Sequence, residues 1–568
     1  MTLQEFKDVL HTLCKNYNHT YSNKNETLEL KKRLNNIYEN NNRDKNEKQQ
    51  IQEIETFCSN YPKLLQVREK NVPYGIFDAN IDAAVTSSKN YKLVDIKVKN
   101  KKQPDDIIYK NNREIQKNIP RGLTIFKSND DDDDDTNNTI CIYANKKFEG
   151  NDIDNDDNDK RITTPYGSSS DNNDDDYSNN NNLNIYSLQN VQKYTQKIAS
   201  IEKINGEAVH FSCRYIFDKF YLFVGSKNNH IIIGKEKDVE SYETEDRYTV
   251  AVKIARQLWQ KLHNTISQYD LNLLFNLLHH TKMTAVCEML QKDHQHIVPI
   301  TNTNIVFLTF TTNQNNTTNL TALPPHVCIN LMSMLKFTSA TCNIIQNSSS
   351  LSPSQMIEAA TSQRDREDIE GKVLYFLNDN NETIAMCKVK TIWYICLRAL
   401  RQIAQKFLLM IKKRNDDEDI GKFQFSFIDK RYNEIKSWLN LSQNVTEEWK
   451  KKTKLFLYWF TYKKFKCLPT IDKDSWIEIM DDSKRRLNEY KDIQKNMIEY
   501  YCYYDKHPEK LNQILKQWDK IFDYSDLTKI EFEFDKKKIL IDYFPIFWNE
   551  FYQWYIAEDD GIKIKDEE

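Results

Sequence analysis

A lysine beside a glycine turn is the first group in this sequence that could do chemistry. In the stretch IEKINGEAVHFSC, Lys203 precedes Asn205 and Gly206, and apolar residues lie on both sides. Burial lowers the pKa of a lysine, and a neutral amine is a nucleophile. Gly206 allows the backbone to approach a ligand closely. Because the chain is rich in Lys and Asn, the pattern K-x-N-G also arises by chance. Taken alone, it favours the interpretation of Lys203 as an exposed lysine in a turn.

Further basic and acidic residues occur in a definite order around this motif. Glu288 lies within the apolar run MTAVCEML, where an unpaired carboxylate is costly. Lys388 and Lys390 are two residues apart on an extended segment, so both amines point from one face, and a bound anion would relieve their repulsion. The series also includes Arg121 in IPRGLTIF, Lys146 and Phe148 in ANKKFEG, Lys227 in FVGSK, and Glu370 in DIEGK.

Attack of a lysine amine on the α-phosphate of a nucleotide would need such a set of side chains. Positive charges would hold the phosphates and the displaced pyrophosphate, and carboxylates would serve the ribose and a metal ion. The residues are far apart in the sequence. A fold that uses them must therefore bring several strands to one place.

The motif order R-G, K-x-F, K-x-N-G, S-K, E, E-G and K-x-K resembles that of the covalent nucleotidyltransferase superfamily. Within it, the series is most similar to ATP-dependent RNA ligases of the phage T4 RNA ligase 1 type, over about residues 119–394. The resemblance implies an α+β fold, with a nucleotidyltransferase (ligase adenylation) core of antiparallel sheets and helices.

The resemblance also implies roles for individual residues. Lys203 would carry a covalent AMP, and Glu288 and Glu370 would serve the ribose and a magnesium or manganese ion. The family usually has Asp or His where Asn205 stands, and Asn lacks the charge for direct metal contact. The acidic insert separates Lys146 from Lys203 by more than is usual. The remaining nucleotide-binding residues would be Arg121, Lys146, Lys227, Lys388 and Lys390 at the phosphates, Phe148 near the adenine, and Asn205 and Gly206 in the turn.

The implied activity is ATP-dependent joining of an RNA 5′-phosphate to a 3′-hydroxyl through a lysyl-AMP intermediate. Two alternatives stay open. One is a GTP-dependent capping enzyme, although no β-rich OB-like module is evident after Lys390. The other is a non-catalytic RNA-binding protein on a decayed ligase fold. The sequence does not determine which RNA is sealed, whether tRNA or another, the partnership with end-healing enzymes, or the oligomeric state.

Charge and cysteine usage fit a phosphate-rich partner in a reducing compartment. The formal net charge is −3, but residues 129–182 contain 16 acidic and 4 basic residues, so the rest of the chain is net basic. The 11 cysteines include no C-x-x-C pair. The N-terminus has no apolar signal core, and basic residues interrupt the most apolar window, Thr391–Lys413. We therefore expect a packed helix there, no membrane association, and a cytoplasmic or nuclear protein.

Composition and periodicity predict three domains. Residues 1–70 predict a helical N-terminal arm, and residues 71–400 hold the adenylation domain. Residues 401–568 predict an all-α C-terminal domain that would select the RNA. An Asp/Asn-rich insert at about 129–182 is too polar to bury a core, so we expect it to be disordered, apart from the strand-like TICIY.

Two other features have both a functional and a structural interpretation. His294 and His296 alternate in DHQHIV and could flank a metal ion, but no third ligand has metal-site spacing, which favours polar loop residues. In EEWKKKTKLFLYWFTYKKFKC, lysines interleave with Trp449, Phe456 and Trp459. This pattern could bind RNA and stack bases, but a helix with an aromatic core stripe is the preferred interpretation.

Overall fold

A computed structural model describes residues 2–41, 44–77, 91–99, 105–128, 138–148, 193–292, 294–313, 321–346, 352, 355–356, 359–360, 364–413, 420–460, 540 and 543–559. Most of the Asp/Asn-rich insert lies outside these residues, so its disorder stays a prediction. The strand expected within TICIY is confirmed, since residues 139–143 are extended and paired.

The α-helices of the described residues form three groups along the chain. The first comprises α1 (Leu3–Tyr21), α2 (Lys24–Asn41), α3 (Asp44–Asn60), α4 (Asp105–Asn111) and α5 (Arg113–Asn118). The second comprises α6 (Thr249–Thr265), α7 (Gln268–Thr281) and α8 (Pro325–Met334). The third comprises α9 (Ile392–Lys413), α10 (Ile420–Leu439), α11 (Gln443–Tyr458) and α12 (Phe544–Asp559).

The described strands form three antiparallel sheets. The first has the order β1 (Leu65–Asn71), β2 (Tyr91–Val98), β3 (Leu123–Ser128), β4 (Thr139–Tyr143). The second has the order β10 (Asn304–Thr311), β9 (Thr284–Leu290), β6 (Glu207–Ile216), β7 (Lys219–Gly225), β8 (His230–Ile233). The third has the order β11 (Cys342–Gln346), β5 (Lys197–Glu202), β12 (Gly371–Leu377), β13 (Thr383–Lys390).

The apolar patterns of the sequence explain these elements. In α6, Ile254, Leu258 and Leu262 recur at helical spacing and are all fully buried. In β8, all four residues are buried, because both faces of the strand are covered. The predicted α+β fold with antiparallel sheets is confirmed.

The N-terminal helices pack on the main core. Phe6, Leu13 and Tyr17 of α1 are fully buried and belong to the same apolar cluster as the second sheet. In addition, β1 begins at Leu65 and pairs with β2. The described part of residues 1–70 is largely helical, and α1 packs on the main core; the helical arm as a separate domain stays a prediction. The predicted boundaries near 70 and 400 stay predictions.

Buried polar side chains join the first and second sheets. The amine of Lys70 on β1 lies 2.8 Å from the carboxylate of Asp95 on β2, and Thr124 on β3 donates to Asp95 at 2.6 Å. The other Asp95 contact is with His230 of β8, at 3.2 Å. Burial would raise the pKa of Asp95, but Lys70 and His230 lower it to about 2. This network fixes the register in which the two sheets face each other.

The C-terminal helices share a second apolar core. Trp449, Phe456 and Trp459 are buried in it with residues of α9 and α12. The core interpretation of the aromatic stripe is therefore confirmed for these residues, while 461–466 lie outside the described chain. The helix predicted for Thr391–Lys413 is confirmed as α9. The described residues after Lys390 contain no strand. Among all the described helices, none is both long and apolar enough to cross a membrane.

Candidate active site

Three neighbouring strand ends of the third sheet position the lysine of the K-x-N-G motif. Lys203 follows the last residue of β5, Glu370 precedes the first residue of β12, and Lys390 is the last residue of β13. Because β12 lies between β5 and β13, these three ends are adjacent. The backbone N–H of Lys203 donates to the carbonyl of Gly371 at 2.9 Å, and Gly371 is paired with Lys390. A side chain at Gly371, where φ is +150°, would clash with the carbonyl of Val389.

Glu370 holds the amine of Lys203. The two side chains form an ion pair at 2.7 Å, and Glu370 is only 4% exposed. Burial alone would raise the pKa of Glu370, but Lys203 and Lys390, with hydrogen bonds from Lys203 and Asn205, lower it below its usual value. Glu370 is therefore a carboxylate, and it orients the amine.

Asn205 uses both ends of its amide. Its nitrogen donates to Glu370 at 2.7 Å, and its oxygen accepts from the backbone N–H groups of Ile297 at 3.0 Å and Val298 at 3.1 Å. An ionised Asp could not donate to Glu370 and would repel it. The Asn at this position therefore fits its neighbours, and its departure from the family pattern has a structural reason.

Gly206 and Glu288 join the second sheet to the site. The backbone N–H of Gly206 donates to the Glu288 carboxylate at 3.3 Å, and a side chain at 206 would clash with the carbonyl of Met289. Burial raises the pKa of Glu288 to about 8, and the nearby carboxylate of Glu370 adds to this, while Lys203 opposes it. Glu288 is thus a carboxyl group whose burial the nearby cation Lys203 does not offset.

Lys388 and Lys146 are half-buried lysines whose amines lose much of their hydration, and Lys146 is next to Lys147, a cation near Lys388. Burial lowers the pKa of Lys146 to about 8. Burial also lowers the pKa of Lys388 well below its usual value, and nearby cations lower it further. These cations are Lys147, Arg121, Lys203 and Lys390. The amine of Lys388 lies 4.5 Å above the ring of Phe148. Several positive charges therefore converge where an anion would stabilise all of them.

Arg121 and Lys227 both contact Asp105. The guanidinium of Arg121 lies 2.8 Å from the Asp105 carboxylate, and the amine of Lys227 lies 3.4 Å from the same oxygen. The backbone N–H of Arg121 donates to the carbonyl of Asn145 at 2.9 Å, which ties it to the segment that carries Lys146. Lys227 is 39% exposed and so lies nearer to solvent than Lys203, at 20%.

The structure therefore brings most of the predicted residues together. Around Lys203 and Glu370 lie Asn205, Gly206, Glu288, Lys388 and Lys390; Lys146 and Phe148 lie beside this group, and Arg121 and Lys227 meet at Asp105. Their placement is compatible with the roles predicted for them. The roles themselves stay predictions.

Three residues at the site were missed by sequence reasoning. Asp105 pairs with two predicted phosphate-binding side chains, but its stretch QPDDIIYKN has no recognisable motif. The hydroxyl of Tyr394 accepts from Asn205 at 3.4 Å, and Tyr394 resembles an ordinary core residue in the sequence. Glu207 contacts both His294 and His296, and the hydrogen bonds from these histidines lower its pKa to about 2. Asp105 lies on α4, Tyr394 on α9 and Glu207 on β6, so only the tertiary fold reveals these partners.

Comparisons with known proteins support the motif analysis. Residues 175–394 match the family model for RNA ligases of the T4 RNA ligase 1 type, and this span is less than half of the chain. The chain is also similar to two solved structures. One is an archaeal ATP-dependent RNA ligase, form 2, with 12% identity and a TM-score of 0.27, covering 58% of this chain and 70% of that chain.

The other solved structure is an archaeal ATP-dependent RNA ligase, form 1, with 13% identity and a TM-score of 0.28, covering 53% of this chain and 78% of that chain. A TM-score this low does not carry a structural argument. A search of curated proteins found no match. The matched family span holds Lys203, Glu288, Glu370, Lys388 and Lys390. The relationship predicted from the motifs is confirmed: this part of the chain is related to the RNA ligases of the nucleotidyltransferase type.

Proposed function

We propose that this protein is an ATP-dependent RNA ligase in which Lys203 carries the AMP. The observation that carries this proposal is the amine of Lys203, held 2.7 Å from Glu370 at a site that also contains Lys388 and Lys390. A lysine paired with a buried carboxylate could be purely structural. The surrounding cations favour an anion-binding role, because they repel one another and the Glu370 carboxylate balances only part of their charge.

The first step is attack on ATP. The ammonium group of Lys203, which is partly exposed, loses one proton to solvent water and becomes a nucleophile. It forms a bond to the α-phosphorus and loses a second proton to water, while the bond from that phosphorus to the bridging oxygen breaks and pyrophosphate leaves with the electron pair. Lys388, Lys390 and Lys146 would neutralise the charge that develops on the phosphate oxygens. Glu370 would orient the amine until the nucleotide arrives and would then release it.

The later steps transfer the AMP and join the ends. An oxygen of an RNA 5′-phosphate attacks the phosphorus of the lysyl-AMP, and Lys203 leaves as an amine. The 3′-hydroxyl of the second RNA end then loses its proton to solvent water and bonds to the phosphorus of the activated 5′-phosphate, while the phosphoanhydride bond breaks and AMP departs with its electron pair. The site residues act in these steps by positioning and by charge stabilisation. The C-terminal helices would select the RNA.

Glu288 and Glu370 would hold a divalent metal ion such as Mg²⁺ or Mn²⁺. Carboxylate oxygens are the ligands that these hard cations prefer. The raised pKa of Glu288, to which Glu370 contributes, indicates two acidic groups that a cation between them would stabilise. When bound, such an ion stabilises negative charge on phosphoryl oxygens.

Covalent labelling tests the proposal. The full chain is incubated with ATP that is radiolabelled at the α-phosphate, and the covalent label on the protein is measured for the wild type and for Lys203→Ala. The proposal predicts label on the wild type and none on the variant. Undiminished label on the variant would refute the role of Lys203.

The same experiment separates the alternatives. Labelling by GTP and not by ATP would indicate a capping-type enzyme. RNA binding without label or pyrophosphate release from either nucleotide would indicate a non-catalytic RNA-binding protein. The first alternative would need a module for the capping reaction, and the described residues after Lys390 contain no strand from which an OB-like module could form.

A further inference from the structure

Three metal-ligating side chains converge beside the K-x-N-G turn. Glu207 is the first residue of β6, and His294 and His296 lie on the loop that follows β9. The Nε2 atoms of His294 and His296 lie 3.7 Å and 3.5 Å from the same oxygen of Glu207. One ligand atom from each of the three residues lies within 4.8 Å of the others.

These separations are close to those of a metal centre. With metal–ligand bonds of about 2.0–2.1 Å and tetrahedral angles, ligand atoms lie about 3.3 Å apart. The separations of the two histidine nitrogens from Glu207, 3.7 Å and 3.5 Å, therefore need to shorten by only a few tenths of an ångström. Side-chain exposures of 27–37% leave access for an ion and for a water molecule as a further ligand.

The ligand set selects the type of metal. Two imidazoles and one carboxylate suit Zn²⁺ and neighbouring transition metals, whereas Mg²⁺ prefers oxygen ligands. Three protein ligands with an open position are the arrangement of zinc sites that keep a bound water. This group therefore differs in chemistry from Glu288 and Glu370.

The position of the group connects three parts of the molecule. Glu207 directly follows the K-x-N-G turn, and the residues after His296 donate their backbone N–H groups to Asn205. The carbonyl of His296 accepts from Arg401 of α9 at 2.9 Å, and Ile297 packs in the core of the C-terminal helices. An ion at this point would hold the histidine loop, and with it the helical region, against the turn that carries the lysine.

We propose that Glu207, His294 and His296 bind one divalent transition-metal ion of the Zn²⁺ class, separate from the Mg²⁺ or Mn²⁺ used in catalysis. The ion stabilises the attachment of the histidine loop to the K-x-N-G turn. This proposal does not depend on nucleotide chemistry, since the metal binds whether or not Lys203 reacts with ATP.

Metal titration of the untagged full chain tests the site. The metal-free protein is titrated with Co²⁺, followed by its visible absorption, and with Zn²⁺, followed by calorimetry, both in excess Mg²⁺. We expect one equivalent to bind and the melting temperature to rise with Zn²⁺. The variants are Glu207→Gln and the double variant His294→Gln/His296→Gln, and the matched control is His263→Gln, an exposed histidine on α6.

Loss of a direct ligand should weaken binding by more than about 100-fold, since loss of an outer-shell partner alone costs about 10–100-fold. Both ligand variants should therefore lose the Co²⁺ absorption and the Zn²⁺-dependent rise in melting temperature, while the control keeps both. If the double variant does not fold, Glu207→Gln, which changes one atom, still decides the question. Absence of tight binding by the wild type in excess Mg²⁺, or equal binding by both ligand variants, would overturn the proposal.

Discussion

Replacing Glu288 with Gln should make the protein more stable at alkaline pH while it abolishes activity. Glu288 is an acid whose pKa is raised from 4.5 to about 8 by burial and by Glu370. Gln has nearly the same shape, and its oxygen can still accept from the Gly206 N–H. The substitution therefore removes the ionisation with little change in packing.

The sign of the effect follows from proton binding. Below about pH 4.5 the folded and unfolded states both hold the proton. Between pH 4.5 and about 8 the folded state keeps the proton that the unfolded state has lost, so the free energy of unfolding of the wild type falls as pH rises. Above about pH 8 the wild type has lost all of the stability that depends on the Glu288 proton. At about 1.4 kcal/mol per pKa unit, the free energy of unfolding can fall by at most about 5 kcal/mol. Because the Glu288 side chain keeps some solvent access, we expect a fall of about 2 kcal/mol.

Scanning calorimetry without nucleotide or divalent ions measures this effect. We expect Glu288→Gln to melt about 3 °C above the wild type at about pH 8.5 and within about 1 °C of it at about pH 5. The control is Glu240→Gln, at an exposed position, which should show no pH-dependent difference. The variant should also lose about 100-fold or more in the rate of covalent AMP formation. An equal difference in melting temperature at both pH values would show that the ionisation of Glu288 does not destabilise the folded protein.

Three further predictions concern other parts of the site. Gly206→Ala should lower both the melting temperature and the AMP label, because its side chain would clash with a carbonyl of β9; full labelling would contradict this. Asp105→Asn frees Arg121 and Lys227 from a competing carboxylate, so ATP should bind several-fold more tightly in a filter-binding assay, and unchanged or weaker binding would count against it. Burial lowers the pKa of Lys388, and bound ATP should raise it. ATP binding should therefore be accompanied by proton uptake, which calorimetry in buffers of different ionisation enthalpy detects and which Lys388→Met should lose.

The sequence predicted the residues that meet at the candidate site better than their partners. Lys203, Glu370 and Lys390 stand next to glycines or at strand ends, and such local patterns are visible in the sequence. The alternation of Lys388 and Lys390 correctly predicted a shared face, because strand geometry fixes it. The pairing of β6 with β9 brings Glu207 to its partners, and the position of helix α4 brings Asp105 to Arg121 and Lys227; no local pattern reveals either contact.

The fold shows the same division. Apolar periodicity predicted the strands of the core and the long helix α9, because burial of one face dictates that periodicity. It did not predict that α1 packs on the main core, since the amphipathic face of a helix does not specify what covers it. Glu207, the group beside His294 and His296, was missed because it lies on a strand that is distant from these histidines in sequence.

The most decisive experiment on the role of Lys203 is to find which residue carries the AMP. The full chain is incubated with ATP and magnesium without RNA, digested under conditions that keep the phosphoramide bond, and analysed by mass spectrometry. The account predicts a single AMP adduct on the peptide that contains Lys203, and its disappearance when RNA with a 5′-phosphate is added. An adduct on another lysine, or no adduct on a folded protein that binds ATP, would contradict it.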